Sequence, residues 1–115
     1  MLVTKQGVSV MIDFALTPDA LSTLYTAVRS MGYQRLIAVF GATGTRDQGK
    51  RPEMGRIAIE LCDVVVITED ENYSEDGMKI MQHIAAGIDD KDREKYHLVQ
   101  DRKEAIRYAI SVAQP

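Results

Sequence analysis

The chain has 115 residues, 45% of them hydrophobic and 27% charged, with a formal net charge of -3. That balance excludes pervasive disorder and fits one globular domain, and its interspersed acids and bases give no basic field for a nucleic-acid backbone. Cys62 is the only cysteine, no run is long enough to span a bilayer and no signal segment opens the chain, so a reduced, cytoplasmic protein is expected, with neither nucleic acid nor membrane as partner.

Val8 to Asp13, rich in valine and isoleucine after Gly7, reads as a strand. Thr17, Pro18 and Asp19 supply an N-cap, a proline suited to the first helical turn and an acid that favours a helix N-terminus. Leu21, Leu24, Tyr25 and Val28 then recur at helical spacing until Gly32, which is placed to end the helix in a left-handed conformation. Leu36 to Phe40 is a second strand, the loop Gly41 to Arg51 follows, and Pro52 with Glu53 opens a helix that runs to Leu61. Val64 to Thr68 is a third strand, followed by the acidic loop Glu69 to Asp76. Ser74 is the expected cap of a helix carrying Met78, Ile80, Met81 and Ile84, and Gly87 its stop. Asp89 to Lys95 reads as a solvated connection and Tyr96 to Val99 as a weaker fourth strand. Asp101 to Glu104 resembles a capping box for a last helix reaching about Val112.

Continuous apolar strands alternating with amphipathic helices predict an α/β domain with a Rossmann-like, mostly parallel sheet and helices on both faces. Ligands of such sheets gather at the carboxyl ends of the strands, here the loops after Asp13, Phe40 and Thr68. The second loop sets small residues and the cations Arg46, Lys50 and Arg51 before a helix N-terminus. Gly41, Thr43, Gly44 and Lys50 are therefore candidates for an anion site, although a turn with solvated charges fits the same pattern. It is not a Walker A loop, because Arg51 stands where that motif needs Ser or Thr. Asp13 can accept hydrogen bonds from ribose hydroxyls, help hold magnesium, or simply cap a turn. Glu69, Asp70, Glu71, Glu75 and Asp76 suit an ammonium group or a cation, or form an ordinary solvated loop. His83, His97 and Cys62 lack metal-ligand spacing and no nucleophile motif occurs, so neither a metal site nor a catalytic residue is assigned. Both histidines are expected to be structural or exposed, Cys62 to be a buried thiol, and Met78 with Met81 to pack in the core.

Two long segments carry a resemblance. Asp13-Phe14-Ala15-Leu16-Thr17-Pro18-Asp19-Ala20-Leu21 is similar to the D-Y-A-H-T-P-D-A-L segment of the Mur ligases. Phe40-Gly41-Ala42-Thr43-Gly44-Thr45-Arg46-Asp47-Gln48-Gly49-Lys50-Arg51-Pro52, with Met54-Gly55, resembles their F-G-C-G-G-D-R-D-K-G-K-R-P-x-M-G loop. Thr68-Glu69-Asp70, Ser74-Glu75-Asp76 and Arg102 with Glu104-Ala105-Ile106 continue the likeness in order, over nearly the whole chain.

The resemblance implies a single Mur ligase C-terminal domain over residues 1–115, nearest the MurE-type branch, which adds an amino acid to UDP-N-acetylmuramoyl-L-alanyl-D-glutamate. The domain is expected to be an excised fragment, lacking an upstream P-loop domain and a final strand. In that family ATP, with Mg2+ held mainly by the central domain, phosphorylates the peptide carboxylate, and the incoming amine attacks the acyl phosphate. By matching position, Asp13 would meet the ATP ribose, Arg46 a carboxylate of the incoming amino acid and Asp70 its amino end. The fragment alone is expected to be inactive. Leu16 stands at the family histidine, Thr43 and Thr45 at Gly and Asp, and Gln48 at Lys. Asp70-Glu71-Asn72-Tyr73 stands at D-N-P-R, and Tyr73 there removes a carboxylate-binding cation, which predicts a weaker preference for diaminopimelate. A stand-alone nucleotide- or anion-binding module and a folylpolyglutamate-synthase-like ligase domain are the alternatives.

Overall fold

The computed structural model describes residues 2–3, 9–11, 17–33, 35–42, 49–70 and 75–113. Leu2–Val3 (β1) and Ser9–Val10 (β2) form an antiparallel pair in a sheet of their own, with Leu2 opposite Val10. Of the expected first strand, Val8, Ile12 and Asp13 lie outside the described residues, and Ser9–Val10 pairs with Leu2–Val3. A short connection can close an antiparallel pair, whereas parallel strands need a longer crossover.

Pro18–Ser30 forms α1. Thr17 caps it by accepting from the Ala20 amide, and the chain leaves it through Gly32 at φ +89°, the left-handed conformation expected there. The strand Ile37–Phe40 (β3) leads to the helix Lys50–Leu61 (α2), which starts two residues before Pro52. Pro52 is tolerated because amides of the first turn have no intrahelical acceptor. Val64–Ile67 (β4) precedes Gly77–Ala85 (α3), which is capped by the Asp76 carboxylate accepting from the Met78 amide; Ser74, the expected cap, lies outside the described residues. Asp90–Lys95 is an exposed 3-10 turn where a plain connection was expected. Tyr96–Leu98 forms β5, and Arg102–Val112 forms α4, with Asp101 accepting from the Glu104 amide as its cap.

β3, β4 and β5 are parallel and adjacent in that order, Ile37 pairing with Val64 and Val66 with His97. Side chains alternate strictly across this sheet. Ala38, Phe40, Val65 and Ile67 face a core shared with α1, α2 and α3, while Val66, with Ile37, Val39 and Val64, faces Ala105 and Ala109 of α4. The sheet is thus covered on both faces, as expected, and Met81 packs in the larger core with Met78 at its margin. Gly87 does end the α3 region, but without positive φ. A Cβ there would meet the Pro52 carbonyl oxygen at the start of α2, so close approach of the two helices is its requirement. At the amino ends of the strands, Asp63 accepts from the Leu36 amide at 2.7 Å and from Arg29 Nη2 at 2.9 Å. Among the described residues, no helix is long and apolar enough to cross a membrane.

Cys62 follows α2 and is 4% exposed. Burial pushes its thiol from an ordinary 9.0 up to about 12; Arg29 opposes the rise and Asp63 adds to it. Burial, followed by the charge of Cys62, raises the Tyr25 hydroxyl as well. Both groups are raised in the fold, so their contribution to stability is complete below their unfolded values and disappears as pH rises. For Cys62 the window runs from 9.0 to about 12. Urea unfolding midpoints should fall across that window, less steeply in Cys62→Ala. At neutral pH, thiol alkylation should await unfolding, and rapid labelling of the native chain would contradict this.

Candidate functional site

The carboxyl ends of β3, β4 and β5 converge, and the backbone itself makes the junction. Thr68, which follows β4, donates its amide to the Phe40 carbonyl at 3.0 Å and extends the ladder by one residue. Gly41, next after Phe40, is buried so closely that an added Cβ would meet the Thr68 carbonyl oxygen and lie 3.1 Å from the Asp70 amide nitrogen. Glycine is required here for space and not for its torsion angles. The β5 exit is fastened to the same segment. Thr68 Oγ1 donates to the Gln100 carbonyl at 3.2 Å, Gln100 Nε2 to Glu69 Oε1 at 2.8 Å, and Arg102 Nη1 to the Glu69 carbonyl at 3.1 Å. Thr68 is fully buried.

Of the residues singled out in the sequence, Gly41 and Asp70 are brought together at this junction. Lys50 is exposed at the first position of α2. Asp13, Thr43, Gly44 and Arg46 lie outside the described residues, as do Glu71, Asn72, Tyr73 and Ser74. Two readings of the loops need correction. Arg51 is not a solvated cation of the anion loop, because it is 1% exposed and pairs with Glu75 through both terminal nitrogens, Nη2 to Oε1 at 2.8 Å and Nη1 to Oε2 at 3.0 Å. Nor are the acids around Asp70 one uniform ligand set. Glu75 is held by Arg51, Glu69 accepts from Gln100 and Asp76 caps α3. Among the described residues no group of three or more metal ligands assembles.

Both histidines have structural partners. Arg51 Nη1 also lies 3.1 Å from His83 Nδ1, and since a guanidinium can only donate, Nδ1 is the acceptor in this contact. His97 Nε2 and the Tyr108 hydroxyl are 3.1 Å apart and tie β5 to α4. No pattern in the sequence pointed to the Arg51–Glu75–His83 cluster. Its members come from α2, α3 and the residue Glu75 ahead of α3, and Arg51 sits in a run of cations, where exposure is the ordinary expectation. Arg102 and Gln100 were missed as anchors for the same reason, although Arg102 stood in a matching family segment.

Comparison with known proteins places this arrangement. The model of the family described as "Mur ligase, glutamate ligase domain" matches residues 1–115. The chain is 44% identical over 108 residues to the UDP-N-acetylmuramoyl-L-alanyl-D-glutamate--2,6-diaminopimelate ligase of Syntrophomonas wolfei, covering 94% of this chain and 22% of that protein. It is 46% identical over 110 residues to the ligase of the same name from Trichormus variabilis, covering 96% and 22%. A solved structure of a UDP-N-acetylmuramoyl-L-alanyl-D-glutamate--2,6-diaminopimelate ligase superposes with a TM-score of 0.80 at 37% identity, covering 89% of this chain and 21% of that one. The chain thus spans about a fifth of the length of these relatives.

Proposed function

The chain belongs to the Mur ligase family as its glutamate ligase domain, and on that premise we propose that it is the C-terminal, closing domain of a longer, cytoplasmic, ATP-dependent ligase. This ligase joins an amino acid to UDP-N-acetylmuramoyl-L-alanyl-D-glutamate during peptidoglycan precursor synthesis. The observation that carries the proposal is the junction of Gly41 with Asp70 at the carboxyl ends of β3 and β4, inside a match that extends over the whole chain. It supports a substrate edge where α/β sheets bind their ligands.

In this reading a separate P-loop domain holds ATP and Mg2+. ATP supplies the phosphoryl group that activates the peptide carboxylate, and the amine of the incoming amino acid displaces it. This chain contributes recognition and closure. Asp13 accepts hydrogen bonds from the ribose hydroxyls, Arg46 clamps a carboxylate of the incoming amino acid with its planar fork, and Asp70 receives the amino end. Gly41, Thr43, Gly44 and Lys50 form the backbone and charge of the loop facing the phosphates. Closure excludes water, which protects the activated carboxylate and orients the amine for attack.

The test is ligation by the full-length enzyme with the UDP-linked dipeptide, ATP, magnesium and a panel of amino acids that includes diaminopimelate and lysine. Arg46→Ala should lower kcat/KM for the amino acid by about 30-fold, the loss of one charge-assisted pair, and Asp13→Ala should raise KM for ATP. Tyr73 predicts reduced discrimination in favour of diaminopimelate, so strict selectivity for it would refute that part. Absence of product with every amino acid would refute the ligase reading, and precursor-dependent ATP hydrolysis by the isolated chain would refute the need for a separate P-loop domain.

A further inference from the structure

A strand at the rim of a sheet carries a row of backbone donors and acceptors with no ladder partner, and an unprotected rim is a template on which another chain can pair. Tyr96–Leu98 (β5) stands in that position, because the sheet runs in the order β3, β4, β5 and no strand lies beyond β5 among the described residues. Its ladder fixes which groups point outward. The Val99 amide donates to the Ile67 carbonyl at 3.0 Å, in the parallel register that sets Val66 opposite His97. Alternation along the strand then turns the amides and carbonyls of His97 and Val99 towards β4, and those of Tyr96 and Leu98 away from it. The rim is also apolar, with Leu98 36% exposed.

One of the outward carbonyls is already taken. In the 3-10 turn Asp90–Lys95, ahead of β5, the Asp92 amide donates to the Asp89 carbonyl at 2.9 Å and Lys95 reaches the Asp92 carboxylate at 3.6 Å. This turn carries Arg93 back over the strand it precedes. Arg93 Nη1 donates to the Tyr96 carbonyl at 3.3 Å, and the guanidinium carbon lies 4.8 Å from the centre of the Tyr96 ring, a distance at which cation and ring attract. Two contacts from one side chain thus hold a permanent charge across the rim. A strand arriving at β5 has to pull the guanidinium off the carbonyl and desolvate a charge that cannot be neutralised. We propose that Arg93 is an edge guard, folded back by the 3-10 turn onto the acceptor through which a second copy of this chain would pair with β5. A second copy suits this rim because two β5 strands meeting antiparallel about Leu98 exchange both hydrogen bonds between the two Leu98 residues and cover each other's exposed leucine. The proposal is independent of the ligase reading.

Sedimentation velocity of the 115-residue chain over a concentration series tests it. Arg93 and Lys91 are both exposed on the turn, so alanine at either position removes one charge without opening the core. Arg93→Ala should dimerise with a dissociation constant at least about tenfold below that of wild type, the change expected when one charge-assisted bond no longer has to be broken. Lys91→Ala should match wild type. Adding Leu98→Pro to Arg93→Ala should restore wild-type behaviour, since proline deletes the outward amide and leaves the ladder to β4 intact. Leu98→Lys, which puts a charge on the same rim and makes no demand on the backbone, should do the same; unfolding midpoints confirm that each variant is folded. An Arg93→Ala chain as monomeric as wild type overturns the proposal. So does association that Lys91→Ala shares, or that both Leu98 substitutions leave in place, because net charge or another surface is then responsible.

Discussion

Glu75→Ala is expected to destabilise the chain by about 3–5 kcal/mol, the cost typical of stranding one member of a buried ion pair. Its partner Arg51 is 1% exposed and cannot shed its proton, so the guanidinium would remain charged in the interior without its carboxylate. The reverse substitution should be far milder. Arg51→Met removes the buried charge and leaves an apolar side chain of similar length, while Glu75, 20% exposed, can turn towards water; a loss of about 1 kcal/mol is expected. Denaturant unfolding of the two variants gives the comparison directly. Equal losses would show that the pair acts as ordinary packing and that the burial of charge carries no special cost.

The second large effect is expected at the α2–α3 contact. A Cβ on Gly55 would meet the Ile84 carbonyl oxygen, with the Ile84 carbonyl carbon at 3.1 Å, and a Cβ on Gly87 would meet the Pro52 carbonyl oxygen, with its carbon at 2.6 Å. These obstacles are backbone and cannot rotate aside as a side chain would. Gly55→Ala gains up to about 1 kcal/mol of helix propensity, yet forcing the helices apart should leave a net loss of about 2–3 kcal/mol. Gly87→Ala, with no such gain, should lose at least as much. Gly32→Ala supplies the contrast, since nothing lies within 4 Å of the added carbon and only the φ of +89° is unfavourable; about 1 kcal/mol is expected there. Thermal midpoints that rank Gly32→Ala below the other two would sink the steric argument. Because α2 carries Arg51 and α3 carries His83, the same variants should also disturb the ion pair, so their effects should not add to that of Glu75→Ala.

Much of this protein is determined by local sequence. Thr17 with Pro18, Asp101 with Glu104, and Gly32 mark helix ends by side-chain or backbone chemistry that needs only a few neighbouring residues, and each is found where it was expected. The apolar runs of β3 and β4 identify strands covered on both faces, because no half-exposed strand would tolerate them. The family, too, was legible, since long ordered segments around Pro18 and Pro52 survive as linear patterns. Tertiary structure alone decided the rest. The partner of β2, the burial of Arg51 and the reason for Gly87 all depend on what lies opposite in space. Whether a charge is solvated or paired is a matter of distance to residues far away along the chain, and sequence order does not encode that distance until the helices have packed.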